Sequence, residues 1–376
     1  MRKSFKYRFY PKKPQKEKIE QTLETCRMLY NTFLAERKET YEQEKRKITT
    51  FEQINSLPNR KGTNPFLSQV FSQTLQDIAR RVHKNFQSFF QRLKKNPEKA
   101  GYPRFKGKFR YDSFTYPQHG FKLEQGQLKL SDIGFVNIKF HRELVGTVKT
   151  CSVIVKNGKY YACFSCEVEP KPLPKTSKKI GIDLGLTSFL ATSDQELKEA
   201  PKTYRKSEKQ LAKAQRKVSR RVKKSKRRKR AVRILAIKHE KVANQRKDLA
   251  HKLAKELVEN YDLIVHEKLQ VKNMVKNRYL AKSINDAGWN LFLTILTYKA
   301  EEAGKQIVEV DPRNTSQICS ACDKQREQKL KLGQRIFKCS HCDYKENRDV
   351  NAARNILKRA EGFGTSLQGA VPIGAV

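Results

Sequence analysis

The stretch "CSHCDYKENRDVNAARNI", Cys339 to Ile356, holds a CxxC pair and, seven residues after Cys342, an acid, Asp349. Asp349 opens a segment whose apolar residues recur as on a short amphipathic helix. A carboxylate there has two explanations. It can simply favour the positive N-terminus of that helix. Or it is one of several acids that the fold gathers to hold a catalytic metal.

Upstream lies a second pair, Cys319-Ser-Ala-Cys322, separated from Cys339-Ser-His-Cys342 by sixteen residues. Each CxxC can present two thiolates from one tight turn, and two such turns complete a tetrahedral site. With four thiolates every position is filled, so one structural zinc is expected at Cys319, Cys322, Cys339 and Cys342. His341 sits inside the second knuckle and is not counted as a ligand. The chain has eight cysteines. Cys26 falls in a helical stripe with Ile19, Leu23, Tyr30 and Phe33 and is expected in a core. Cys163 and Cys166, three apart in a strand, point to opposite faces and suit no shared metal. A long chain with this pattern and no secretion signal fits a reducing compartment.

Two further acids stand in apolar surroundings. Asp183 interrupts "IGIDLG" and Glu267 ends "DLIVHE". A carboxylate placed there costs free energy unless it is paired or binds a cation. Asp183, Glu267 and Asp349, from strand, strand and helix, follow the order found in ribonuclease H-like nucleases. Carboxylates suit magnesium, which prefers hard oxygen ligands. Two such ions about 4 Å apart can activate water and stabilise the leaving oxygen of a phosphodiester.

Composition narrows the partner. Lysine plus arginine number 81 against 38 acids in 376 residues, a formal net charge of +43. Such charge repels itself unless a polyanion neutralises it. No stretch approaches the roughly 20 apolar residues of a spanning helix, and no signal peptide opens the chain. The cations run through the whole sequence, so nucleic acid is the expected polyanion and a membrane is not.

The remaining chain reads as strands and helices in two halves. "SFKYRFYP" alternates and stops at a proline, as a strand does. A second helix is expected to set Val70, Leu75, Ile78, Val82, Phe86, Phe89 and Leu93 on one face. "GYPRFKGKFRYDSFTY", residues 101–116, interleaves aromatics with cations, which suits base stacking or, equally, burial in a small barrel. Residues 121–169 alternate, with Asn157-Gly158 as a hairpin turn. "EPKPLPKTSKK", 169–179, marks a boundary. Beyond it, "IGIDLGLTSFLATSD" reads as a strand pair, and 202–260 as basic helix with Val232, Leu235, Val242, Leu249, Leu253 and Leu257 in one stripe. The run "SRRVKKSKRRKRAVR" is expected to face polyphosphate.

Taken together, "GIDLGLTSF", "KVANQRKDLAHKLA", "DLIVHEKLQVKNM", "INDAGW", "YKAEEAGKQIVEVDPRNTSQICSAC" and "NRDVNAARNIL" closely resemble the TnpB family of transposon-encoded RNA-guided nucleases, relatives of type V CRISPR effectors. "KYRFYP", "CRMLYNTFLAERKETYE", "GYPRFKGK" and "GKYYACFSCEVE" extend the resemblance over nearly the whole chain. It implies an α/β multidomain protein. A wedge-type β-barrel would comprise 1–12 and 101–170, with a helical recognition insert at 13–100. A RuvC-like nuclease domain would comprise 171–314 and 346–360, with a zinc ribbon that binds target nucleic acid at 315–345. A flexible tail would follow at 361–376. It implies Asp183, Glu267 and Asp349 as catalytic ligands of two magnesium ions. It also implies a noncoding guide RNA, a double-stranded DNA target beside a short adjacent motif, a link to the element's transposase, and a prokaryotic cytoplasmic, nucleoid-associated setting.

The sequence departs from the family where Asp323 and Asp343 replace the glycine after each knuckle; aspartate tolerates left-handed backbone better than most residues. Asn347 stands where an aspartate is frequent, and asparagine still caps a helix. Two other functions fit the same fold: a repressor without cleavage, against which the three acids argue, and an RNA-independent resolvase, against which the long basic N-terminal half argues.

Overall fold

The fold is described from a computed structural model, which describes residues 1–362 apart from Phe109, Pro201, Lys329, Lys331 and Leu332. Most of the expected tail lies outside the described residues; its first two, Glu361 and Gly362, finish the last helix. The chain divides into two compact units, Met1–Glu169 and Pro170 onward.

The first unit is a seven-stranded antiparallel sheet with helices. Its strands are β1 (Arg2–Tyr10), β2 (Ser113–Tyr116), β3 (Phe121–Glu124), β4 (Gln127–Leu130), β5 (Gly134–Lys139), β6 (Thr147–Lys156) and β7 (Lys159–Glu167), in the order β2-β6-β7-β1-β5-β4-β3. Alternation decides the pairing face: Phe5, Tyr7 and Phe9 of β1 are all buried while their neighbours face out. The β6–β7 turn needs two left-handed residues, supplied by Asn157 at φ 52° and Gly158 at φ 73°. Between β1 and β2 run α1 (Lys13–Glu44), the short α2 (Thr50–Asn55), α3 (Leu57–Thr63) and α4 (Pro65–Ser68), and α5 (Ser72–Lys95). The α1 stripe of Ile19, Leu23, Cys26, Tyr30 and Phe33 is buried, and burial pushes the Cys26 thiol up to about 12. On α5, Leu75, Ile78, Val82 and Phe86 are buried, but Leu93 is exposed because the last turn leaves the core. The 101–116 segment splits. Tyr102 and Phe105 are exposed in irregular chain, whereas Phe114 and Tyr116 are buried on β2.

The second unit is built on a five-stranded sheet: β8 (Lys179–Asp183), β9 (Ser188–Thr192), β10 (Leu197–Glu199), β11 (Leu263–Glu267) and β12 (Gln306–Val310), ordered β10-β9-β8-β11-β12. β8, β11 and β12 are parallel to one another; β9 runs antiparallel to its neighbours β8 and β10. Two long basic helices, α6 (Thr203–Ser219) and α7 (Lys226–Asn260), link β10 to β11. The small α8 (Val271–Met274) and α9 (Ala281–Ala287), then α10 (Trp289–Ala303), lead to β12. A ribbon carries the two-stranded β13 (Ile336–Lys338) and β14 (Lys345–Asn347), and α11 (Arg348–Gly362) closes the unit. On α7 the stripe holds at Val242, Leu253 and Leu257. Val232 is instead 45% exposed, on the part of α7 that also lines the basic cleft with α6. Among the described residues no helix is long and apolar enough to cross a membrane.

Two polar ties hold this unit. Asp286 accepts from the Tyr204 amide at 2.9 Å, the Arg205 amide at 3.3 Å and the Arg246 guanidinium at 2.7 Å. It caps α6, whose own N-cap residue makes no side-chain cap. The segment after Pro170 is tied down by Asp262, which accepts from the Thr176 and Ser177 amides, and by buried Lys305, which donates to Asp262 at 2.5 Å and to the Pro174 carbonyl at 2.7 Å. Lys305 beside it holds the Asp262 carboxyl at about 2.

Candidate active site and cysteine ribbon

The parallel register brings two acids level. Ile182 of β8 pairs with His266 of β11, so the next residues, Asp183 and Glu267, stand side by side where the two strands end. α11 lies against β8 at Gly181: a β-carbon there would sit 2.1 Å from the Ala353 carbonyl oxygen. Only a residue without a side chain lets the helix come so close. That contact delivers Asp349, on the first turn of α11, to the turn that follows Asp183. A β-carbon on Gly185 would lie 3.9 Å from Asp349 Oδ2. The helix start is fixed by Asn347, whose side-chain oxygen accepts from the Asp349 amide at 2.9 Å.

All three acids are half-buried. Burial, then the Glu267 and Asp349 charges, raise Asp183 to about 8, against Arg348 and the Leu184 amide. Burial also raises Glu267, against a hydrogen bond from the Thr315 hydroxyl and the nearby Arg359 charge. Carboxylates that repel one another in a dry setting are what a hard divalent cation relieves, so the donor set fits magnesium. Among the described residues the acids do not form a cluster as tight as the cysteines; Glu267 is turned to Thr315.

The four cysteines do meet. Their sulfurs all lie within 4.8 Å of one another, with Cys319 to Cys342 at 3.8 Å and Cys322 to Cys339 at 3.6 Å. A tetrahedral zinc with Zn–S bonds of about 2.3 Å requires S···S edges of about 3.8 Å, so the geometry fits zinc. The Ala321 and His341 amides donate to Cys319 Sγ and Cys339 Sγ, the usual way a knuckle stabilises thiolate. Burial opposes ionisation of Cys339, yet the His341 and Cys342 amides and the neighbouring thiols bring it down to about 6. The His341 ring faces the Gln325 carbonyl, outside the cluster. Asp323 takes the left-handed backbone at φ 59°; Asp343 does not need it. Cys163 is half-buried and Cys166 buried, on opposite faces of β7.

Several residues that join the ribbon to the acid site were not singled out from the sequence. Asn351 and Asn355, four apart on α11, are buried and bonded to the backbone of residues 315–320. Arg354 donates to the Ser193 carbonyl and to Tyr344 Oη. Their signal was present: asparagine at helical spacing on an otherwise apolar face needs a partner.

The basic run between Ser219 and Arg233 lies where α6 meets α7. A cleft of about 650 Å³ there is lined by Lys213, Lys217, Arg221, Arg227, Arg230 and Lys238, with no acid in its walls. In the first unit, Phe51, Phe90 and Tyr102 border an open cleft of about 730 Å³ that likewise has no acidic wall.

A mixed sheet with carboxylates at its parallel strand ends, completed by a four-cysteine ribbon, defines the class of the second unit. Family profiles agree along the chain. One described as "Probable transposase" of the OrfB/IS605 type matches residues 163–278, and a "Cas12f1-like, TNB domain" matches 289–356. A "Helix-turn-helix domain" of the OrfB/IS605 type matches 1–46, where the structure has β1 and the single helix α1. A protein from Streptomyces pristinaespiralis named as a candidate RNA-guided DNA endonuclease is 35% identical over 98% of this chain and 91% of its own. InsQ of Escherichia coli K12, named likewise, is 31% identical over 94% and 91%. The CRISPR-associated endodeoxyribonuclease Cas12f1 of Sulfoacidibacillus thermotolerans is 36% identical over 31% of this chain and 28% of its own. The chain belongs to the OrfB/IS605 TnpB family.

Proposed function

We propose that this protein is an RNA-guided DNA endonuclease of a transposable element. It would bind a noncoding guide RNA, engage duplex DNA beside a short adjacent motif, and hydrolyse DNA phosphodiesters in the second unit, read as a RuvC-like ribonuclease H fold. The observation that carries this proposal is the register that sets Asp183 beside Glu267, with Asp349 brought to the same turn by α11. The names of full-length relatives point the same way.

Asp183, Glu267 and Asp349 would hold magnesium, two ions in the full mechanism; bound there, it supplies activation of water and stabilisation of the leaving oxygen. The chain's own part is to orient and to bind. Burial of the three carboxylates keeps their oxygens for a cation and not for bulk water. The α6–α7 cleft grips phosphates without reading bases, since phosphate contacts position and pairing with the guide specifies. The ribbon, folded on zinc, holds residues 315–320 against α11. The first unit serves as wedge and recognition lobe for guide and adjacent motif, and the protein works beside the element's transposase in a prokaryotic cytoplasm.

The test is direct. Asp183→Ala, Glu267→Ala and Asp349→Ala should each abolish cleavage while the purified protein still carries its RNA. Any of these variants cutting at the unmodified rate removes that residue from the site. If purified protein carries no RNA of defined sequence, or cuts equally without it, the guided function fails.

A further inference from the structure

Glu267 ends its strand on a flexible side chain, and one neutral group holds it. Thr315, 3% exposed, donates its hydroxyl to Glu267 Oε1. The same hydroxyl lies 3.3 Å from the Pro312 carbonyl, but a carboxylate is the stronger acceptor. Thr315 is itself held from behind. Asn355, 4% exposed, donates to the Thr315 carbonyl at 2.8 Å and to the Ile318 carbonyl at 2.7 Å. One turn earlier, fully buried Asn351 donates to the Ile318 carbonyl at 2.8 Å and accepts from the Ser320 amide at 2.9 Å. Asparagine is a poor helix former and costly to bury, so two of them four apart on α11 make sense only as a clamp. Both belong to the helix that begins with Asp349.

We propose that Thr315 is a positioning residue for Glu267 and that Asn355 sets Thr315, so that a relay Asn355–Thr315–Glu267 fixes the second acid relative to the helix that bears the third. The relay rests on the proposed role of the acids. One hydroxyl occupies one of about four lone-pair sites on a carboxylate, which leaves the others for a cation. Orienting partners behind a metal ligand typically change metal affinity about 10–100-fold.

The experiment compares Thr315→Val, which removes only the hydroxyl, with Thr315→Ser, which keeps it, in protein carrying its co-purified RNA. Two quantities are read: the magnesium concentration that half-saturates cleavage of target DNA, and the dissociation constant of manganese(II) followed by electron paramagnetic resonance. Thr315→Val should raise both about 10-fold or more, with the cleavage rate at saturating magnesium less affected and one zinc per chain retained. Thr315→Ser should restore both, and Asn355→Asp, which loses both donors, should move them as Thr315→Val does. Unchanged magnesium and manganese dependence in Thr315→Val overturns the relay. So does loss of zinc in that variant, since a collapsed ribbon would then explain the defect. Glu267→Ala separates the two levels. If it still cuts, the acid site and the relay fall together; if it is dead while Thr315→Val is normal, the relay alone falls.

Discussion

Gly181→Ala tests whether the approach of α11 to β8 sets the active site. The glycine has ordinary strand backbone, so the effect is one of space alone. The new β-carbon would stand 2.1 Å from the Ala353 carbonyl oxygen and 2.9 Å from Leu357 Cβ. A carbon and an oxygen need about 3.3 Å, so helix and strand must part by about 1 Å. Ala353 is one helical turn beyond Asp349, and the acid moves with it. Misplacing a reacting group by about 1 Å costs about 100-fold in rate. The stability cost is that of overpacking, about 1–3 kcal/mol, and a melting temperature falls about 2–4 °C per kcal/mol in a unit of this size. The assay is single-turnover cleavage of a target plasmid at saturating magnesium, with bound RNA quantified on the same preparation and melting followed in parallel. The expected outcome is a cleavage rate about 100-fold lower in protein that remains folded and RNA-bound. Cleavage near the unmodified rate would show that the helix can retreat without disturbing Asp349, and would refute the reasoning.

Three other outcomes are expected. Metal analysis should find one zinc per chain; the count should vanish in Cys319→Ser with Cys322→Ser and persist when Cys163 and Cys166 are both replaced. Asp262, held at about 2 by Lys305 in the fold and near 3.9 when unfolded, contributes stability that is present above about pH 4 and lost as pH falls through about 2. Acid unfolding of Asp262→Asn should therefore start from a lower stability at neutral pH and show a shallower loss over that window; equal slopes would count against the tie. Neutralising one cation of the α6–α7 cleft, such as Lys217→Gln, should weaken nucleic-acid binding modestly for every sequence and flatten its dependence on salt, measured by filter binding across salt concentrations.

The cysteines, Asp183 and Glu267 were legible because each is out of place locally; Asp349, ordinary at a helix start, was legible only in their company. A carboxylate closing the apolar run Leu263–His266, or a CxxC repeated at ribbon spacing, conflicts with its surroundings unless something binds there. Strand β1 and helix α1 were legible because their period alone fixes a buried face, and Phe5, Tyr7, Ile19 and Phe33 are buried as the period requires. Periodicity failed where tertiary context decides. Val232 fits the α7 stripe by spacing but is left exposed, and Leu93 fits α5 but is exposed on its last turn. In the 101–116 segment exposed Phe105 lies between Arg104 and Lys106 and buried Phe114 between Ser113 and Thr115, so the loss of cations marks where the strand begins, a signal that composition over the whole segment averages away. Thr315, Asn351 and Asn355 were missed for another reason. Asn351 and Asn355 bond backbone groups, whose identity leaves no mark in a sequence, and Thr315 bonds Glu267 across 48 positions, a separation that no local pattern records.

The placement of Asp349 on α11 has a consequence for how the protein is made. β8 leaves the ribosome early, with a bare groove at Gly181 that only α11 fills, and α11 is the final element of the described fold to be translated. The nascent chain can present the basic helices α6 and α7 well before the third acid exists. On the proposed function, a polypeptide still tethered to its ribosome can hold nucleic acid but not cut it.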